Sequence, residues 1–203
     1  MLLTIFSIAI LIMSVVIHEV SHGYIAYILG DATAKYSGRL TLNPFKHLDP
    51  VGSVLVPVIT SLAGFPFGWA RPVPYNPYNL KAGKWGPALV ALAGPASNLL
   101  LAVIFGLVLR FFGVGLGAGA AQALVTILFV NISLGIFNLL PVAPLDGSKL
   151  LFALLPYHLH YIEEFMVRNQ FYLVLILIFF LNSSGVTWLI NFENFLIRML
   201  LGA

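Results

Sequence analysis

The chain has 203 residues, 60% apolar and only 8% charged, with a formal net charge of +3 and a mean hydropathy of +1.00. A soluble domain carries about a quarter charged residues, so this composition points to a membrane-embedded bundle rather than a water-soluble domain. The absence of cysteine excludes disulfides, thiolate metal sites and thiol catalysis, and the few cations, spread over loops, give no support for nucleic-acid binding.

The first element, about Leu2–Leu29, is long enough to cross about 30 Å of hydrocarbon as a helix, and Gly30-Asp31 supplies its stop. It lacks a basic start and a small-residue cleavage site, so it is expected to be a retained span rather than a signal peptide. Within it only His18-Glu19-Val20-Ser21-His22 ionises. Histidines four apart on a helix share a face and can hold one Zn²⁺, with the glutamate between them in reach of a water. Such groups are costly in hydrocarbon unless paired, so the cluster reads as a functional site, first of all that of a zinc hydrolase within the bilayer.

Ala32–Pro50 is polar, carrying Lys35, Arg39, Lys46 and His47, and the alternation in Tyr36–Leu42 suggests a strand. Val51–Phe67 is apolar but short and broken by Gly52, Pro57, Gly64 and Pro66, which fits a re-entrant segment at least as well as a crossing. Arg71–Lys84 is a Pro/Asn/Tyr-rich connector, expected to be extended and interfacial. Two strong spans follow, about Gly86–Phe112 and Ala120–Leu140, joined by the glycine-rich turn Gly113–Gly119. Pro141–Gly147 is irregular and Ser148–Leu155 a short helix. Phe171–Leu181 leads through Asn182–Gly185 to Val186–Leu201, either as one broken span or as a span plus an interfacial amphipathic helix carrying Trp188, Glu193 and Arg198. His158 and His160 read as interfacial, and Trp69, Trp85 and Trp188 as interface anchors.

Charge bias chooses between the topologies. If Val51–Phe67 re-enters, Lys35, Arg39, Lys46, Arg71, Lys81 and Lys84 share one side with Lys149 and Arg168, opposite Arg110. That side is expected to be cytoplasmic. A crossing would split the first six evenly and erase the bias. The re-entrant arrangement sets His18 and His22 roughly 10–18 Å from the cytoplasmic end of their helix.

A catalytic zinc takes three protein ligands. Asp31, Asp49, Glu163, Glu164, Glu193, His47, His158 and His160 lie mostly in polar or juxtamembrane stretches, where a solvated loop group is the ordinary explanation. Asp146 instead closes the apolar run Asn138-Leu139-Leu140-Pro141-Val142-Ala143-Pro144-Leu145-Asp146-Gly147. Its prolines prevent a regular helix, and irregular backbone at membrane depth lines a cavity or is buried in protein. Asp146 therefore either coordinates metal or caps the helix that starts near Ser148.

With Gly94-Pro95-Ala96-Ser97-Asn98 in the middle span, the HExxH and Asn-x-x-Pro…Leu-Asp-Gly segments resemble the site-2 protease family of intramembrane zinc metalloproteases. The resemblance is to a compact form without PDZ or CBS domains. It covers about residues 1–155 as catalytic core, leaving 156–203 as C-terminal membrane segments of the same intramembrane metalloprotease domain.

The resemblance implies one Zn²⁺ per chain, ligated by His18, His22 and Asp146, with Glu19 as general base. Asn138 is the second catalytic residue, polarising or holding the scissile carbonyl, and Asn98 of the Gly-x-x-x-Asn motif falls in the substrate-binding role. Read without the family, Gly94-Pro95 is a kink or close helix contact, and both asparagines simply bond between helices.

The expected fold is an all-α polytopic transmembrane bundle with a re-entrant segment and a small membrane-associated β-like element, Tyr36–Leu42 and Trp69–Tyr75, presenting an extended substrate. The expected activity is hydrolysis of peptide bonds within or near transmembrane segments of membrane-protein substrates in a prokaryotic cell membrane, the site lying nearer the cytoplasm. A membrane metal transporter and a catalytically silent scaffold are the alternatives. The first would need a polar relay leading away from the site on both sides, and the second has no use for Glu19.

Overall fold

The computed structural model describes residues 2–56, 58–59, 68, 70–180 and 186–202. Helix α1 spans Leu2–Ile28 and stops at Gly30, whose φ of 109° is a left-handed conformation that L side chains resist. After the short α2 (Thr33–Tyr36) the chain makes a series of tight turns. Three of them start alike: Asn43, Asp49 and Asn76 each precede a proline and accept a hydrogen bond from the backbone N–H two residues on. The proline presets φ and the short polar side chain closes the turn. Then come α3 (Gly86–Phe112), α4 (Ala118–Asn138), α5 (Asp146–Leu154), α6 (His160–Arg168), α7 (Gln170–Phe180) and α8 (Val186–Leu201).

Three helical stretches are long and apolar enough to cross a membrane, Thr4–Ile28, Gly83–Gly115 and Ala118–Asn138, with mean hydropathies of 2.0, 2.1 and 2.0. No more than 39% of any of their most apolar windows is buried inside the protein, so most of this apolar surface faces outward. Apolar surface on helices of this length is what a bilayer covers. The chain is an all-α integral membrane protein.

Helix α3 is the centre of the bundle, packing against α1, α4, α5 and α8. One core cluster joins Ala102 of α3 to Leu128, Ile132 and Ile136 of α4, covered by Leu189, Leu196, Ile197 and Leu200 of α8. Helix α8 therefore packs along the bundle, and Glu193 on it is buried rather than at an aqueous interface. A second cluster, Ala26, Leu80 and Val90, ties α1 and α3 to the connector between them.

That connector returns to where it began. Lys81 N donates to Leu29 O at 2.8 Å, and Arg71 N to His47 O at 2.9 Å. His47 and Arg71, on either side of Val51–Phe67, thus meet at one end of the bundle; the expected re-entrant segment itself falls largely on 57 and 60–67, which with Trp69 lie outside the described residues.

The β-like element is corrected. Among the described residues there is no strand: Tyr36 closes α2, and residues 70–75 belong to no regular element. Pro72 and Pro74 remove two of the N–H groups that a ladder would need, so the segment is held by isolated bonds instead.

Candidate active site

Each side chain of the HExxH cluster is placed by a different neighbour. His18 and His22 are buried on the face of α1 that meets α3. Their Nδ1 atoms point away from each other's target: His18 Nδ1 bonds Asn98 Oδ1 at 2.6 Å, and His22 Nδ1 bonds the Val90 carbonyl at 2.7 Å. Both partners are carbonyl oxygens, which only accept, so each Nδ1 carries a proton, and in the neutral imidazole that ligation needs each Nε2 keeps a lone pair.

Both lone pairs face Asp146. Its Oδ2 lies 3.1 Å from His18 Nε2 and 3.3 Å from His22 Nε2, and it has no hydrogen-bond donor. With the imidazoles neutral, two nitrogen lone pairs and a carboxylate oxygen crowded together in an apolar bundle repel unless a cation lies among them. The spacing suits one: ligands about 2.0–2.1 Å from a tetrahedral zinc ion are about 3.3 Å apart. Glu19 also offers an oxygen within 4.8 Å of the imidazole ligand atoms. However, its Oε2 already accepts from Val73 N at 2.9 Å, which favours Asp146 as the third ligand.

Asp146 is delivered by the turn that links α4 to α5. Val142 N donates to Leu140 O and Leu145 N to Val142 O, folding the proline-rich run tightly, and Ala143–Pro144 is cis. At Gly147 a side chain would overlap the backbone oxygens of Leu139 and Leu140, so glycine is required for the turn to close. The helix that follows has Leu145 at its N-cap without a side-chain cap, leaving the Asp146 carboxylate to the histidines rather than to the cap.

Gly94 performs the same service on α3. A Cβ there would sit 2.5 Å from His18 Nε2 and from His22 Nε2. The Gly94-Pro95 pair is therefore a close helix contact directly against the imidazoles.

Asn98 is 0% exposed and all its polar contacts are internal. Besides meeting His18, it donates through Nδ2 to Asn131 Oδ1 at 2.9 Å and to Ser14 O at 3.3 Å, while Asn131 Nδ2 donates to Ser14 Oγ at 3.0 Å. Those donations fix which end of the Asn98 amide faces His18. Asn138 ends α4 with Nδ2 on Leu134 O of its own helix, and no hydrogen bond joins it to the cluster among the described residues. Ser14, Asn131 and the Val73 N–H escape sequence reading. The only signal for the last is its setting in Arg71-Pro72-Val73-Pro74, where the flanking prolines leave Val73 the one N–H to offer.

Asp31 and His47, read from sequence as solvated loop groups, are buried. Asp31 accepts from Thr33 Oγ1, Asn76 N and Asn79 Nδ2 at 2.7–2.8 Å, latching the connector to the end of α1. His47 bonds Thr41 O through Nε2. His160 remains exposed beside Glu163.

An HExxH helix facing a carboxylate from a distant turn, inside a bundle of apolar helices, defines a membrane-embedded site of the metallohydrolase type. The profile described as peptidase family M50 matches residues 115–181, which include the Asp146 turn. YwhC of Bacillus subtilis is 45% identical over 153 residues, covering 72% of this chain and 67% of YwhC. Rip2 of Mycolicibacterium smegmatis is 34% identical over 137 residues, covering 67% of this chain and 52% of Rip2. The archaeal MJ0392 of Methanocaldococcus jannaschii is 27% identical over 154 residues, 76% of this chain and 35% of that protein. All three carry zinc metalloprotease in their names. No solved structure matches the chain. The chain belongs to the site-2 protease family, peptidase family M50, a family of zinc metalloproteases.

Proposed function

We propose that this protein is an intramembrane zinc endopeptidase that hydrolyses peptide bonds within or near the transmembrane segments of membrane-tethered proteins, with one zinc ion per chain. The observation that carries this reading is the convergence of His18 Nε2, His22 Nε2 and Asp146 Oδ2 within 3.3 Å contacts, beside Glu19, in helices that face lipid.

His18, His22 and Asp146 would hold the ion, the two imidazoles locked by Asn98 and the Val90 carbonyl in the tautomer that ligation needs. Zinc bound there supplies Lewis-acid activation of water and of the scissile carbonyl. Glu19 is the proton carrier: its carboxylate takes a proton from the attacking water and passes it to the leaving amine. The Val73 N–H holds Oε2, while Oε1 accepts no hydrogen bond among the described residues and is the oxygen left for that transfer.

A substrate helix hides its carbonyls in its own hydrogen bonds, so it must unwind before attack. Asn138 Nδ2 donates one of its two N–H groups to Leu134 O and keeps the other for the substrate carbonyl. Asn98, sealed between helices, acts on the substrate through His18. The cationic end of the bundle is assigned to the cytoplasm of a prokaryotic cell, with the site about 9–15 Å from that end of α1.

Zinc content measured together with cleavage of a synthetic transmembrane peptide tests the reading. Glu19→Gln is expected to keep zinc and lose cleavage by at least a thousandfold. Wild-type cleavage by that variant would remove Glu19 from its role. Metal uptake into vesicles without cleavage would favour a transporter, and neither activity a scaffold.

A further inference from the structure

The strap that carries Val73 also walls a cavity of about 370 Å³, bounded by Ser37, Arg39, Phe45, Lys46, Arg71 and Pro72. Three of these residues are cations and none of the lining residues is acidic. The size lies at the small end of the roughly 300–1,000 Å³ range of small-molecule pockets, too small for a folded partner.

Arg39 is the centre of the cavity's chemistry. It is 7% exposed, and its Nη2 donates to the carbonyls of Arg71 at 2.6 Å and Pro72 at 3.4 Å. Its Nε is buried without any partner, and Nη1 makes no hydrogen bond among the described residues. Burial first, and then the charge of Arg71, push its guanidinium down from its ordinary range; the charge of Glu19 offsets this only in part. A buried guanidinium with an unspent Nε, set beside the like charge of the exposed Arg71, is costly unless an anion joins the pair.

The setting names the kind of anion. Leu42 and Phe45 are exposed apolar side chains next to Lys46, and Tyr24 and Tyr27 are exposed near the end of α1. Cations interleaved with exposed aromatic and aliphatic groups are the pattern of a membrane surface, where the anions are lipid phosphates. Arginine forks match the oxygens of phosphate better than they match a point charge.

We propose that this cavity is a phosphate-binding site at the membrane surface, with Arg39, Arg71 and Lys46 as its charge partners, filled by a lipid headgroup phosphate or by soluble phosphate. Because Arg39 also grips the carbonyls of Arg71 and Pro72, an anion there braces the strap whose next residue donates to Glu19.

The test uses the full chain in a neutral detergent, titrated with inorganic phosphate, with short-chain phosphatidylglycerol below its micellar concentration, and with acetate at matched ionic strength. Melting temperature and calorimetric titration report binding without any need for cleavage. The wild type should bind phosphate or phosphatidylglycerol, and Lys46→Gln with Arg71→Gln should weaken that binding at least tenfold, with part of the loss recovered by Arg71→Lys. Protection by both ligands identifies a site for free phosphate; protection by phosphatidylglycerol alone identifies a headgroup site. Equal binding by the double variant, acetate as effective as phosphate, or no binding of either phosphate ligand would each overturn the assignment. Should the double variant not fold, phenylglyoxal labelling of the wild type decides. Phosphate or phosphatidylglycerol should protect the exposed Arg71 from modification, and labelling of Arg71 unchanged by both rejects the site.

Discussion

At Gly94 a single methyl group would enter the space between two imidazoles, 2.5 Å from both Nε2 atoms. Gly94→Ala is therefore expected to lower bound zinc by at least tenfold while leaving helix content unchanged, as measured by metal analysis and circular dichroism on the same sample. Asn131 acts one step further out. Asn131→Leu removes the acceptor that orients Asn98, freeing its amide to turn an N–H towards His18 Nδ1. Loss of an outer-shell partner typically costs about 10–100-fold in metal affinity. Chelator competition should show a loss of that size; unchanged zinc affinity would mean that Asn98 is oriented by Ser14 alone. His18, Glu19 and His22 were legible in the sequence because helical spacing by itself brings them together. Asp146 was legible only as a carboxylate in an odd setting, since its approach to α1 depends on a tertiary fold. Asn131 carried no local signal at all: an amide in an apolar span looks the same whatever it bonds.

At the scale of elements, residues 70–79 are held between two latches, Arg39 at one end and Asp31 at the other. Asp31 is sealed from water. Burial raises its carboxyl pKa, yet the bonds from Thr33, Asn79 and Asn76 outweigh this and hold it below the usual carboxylate value. The sign follows: this contribution to stability is complete above about pH 4, the unfolded value, and is lost as pH falls through the depressed folded value. Asp31→Ala gives up several bonds to a charged acceptor and should destabilise the fold by about 2–4 kcal/mol at pH 7. Unfolding measured from pH 7 to pH 2 should show the wild-type advantage shrinking only at the acid end; an advantage independent of pH would mean the carboxylate charge contributes nothing. Helix ends here followed apolar runs closely: Gly86–Phe112 is as the sequence suggests, and α4 is displaced by two residues from Ala120–Leu140. The second supposed strand failed for a local reason, because nothing restores the N–H groups lost at Pro72 and Pro74, while the first begins at Tyr36, the last residue of α2.

For the whole molecule, topology follows from where the connector begins and ends. His47 with Arg71, and Leu29 with Lys81, close it onto one end of the bundle, while the contact between Gly202 and the Arg110 guanidinium marks the other. Hydropathy alone left Val51–Phe67 undecided, and charge bias resolved it only by assuming that the chain obeys the positive-inside tendency. The hydrogen bond between His47 and Arg71 brings together the residues that flank the segment. Because the chain has no cysteine, single-cysteine variants provide a clean readout. Ser37→Cys, Lys84→Cys and Val114→Cys, at exposed positions, are expected to leave the fold intact. In sealed cells a membrane-impermeant maleimide should label position 114 alone, and in inverted vesicles positions 37 and 84 but not 114. Labelling of 37 and 84 from opposite faces would require a net crossing between them. That result would break the shared cationic end on which both the depth of the metal-binding cluster and the phosphate site depend.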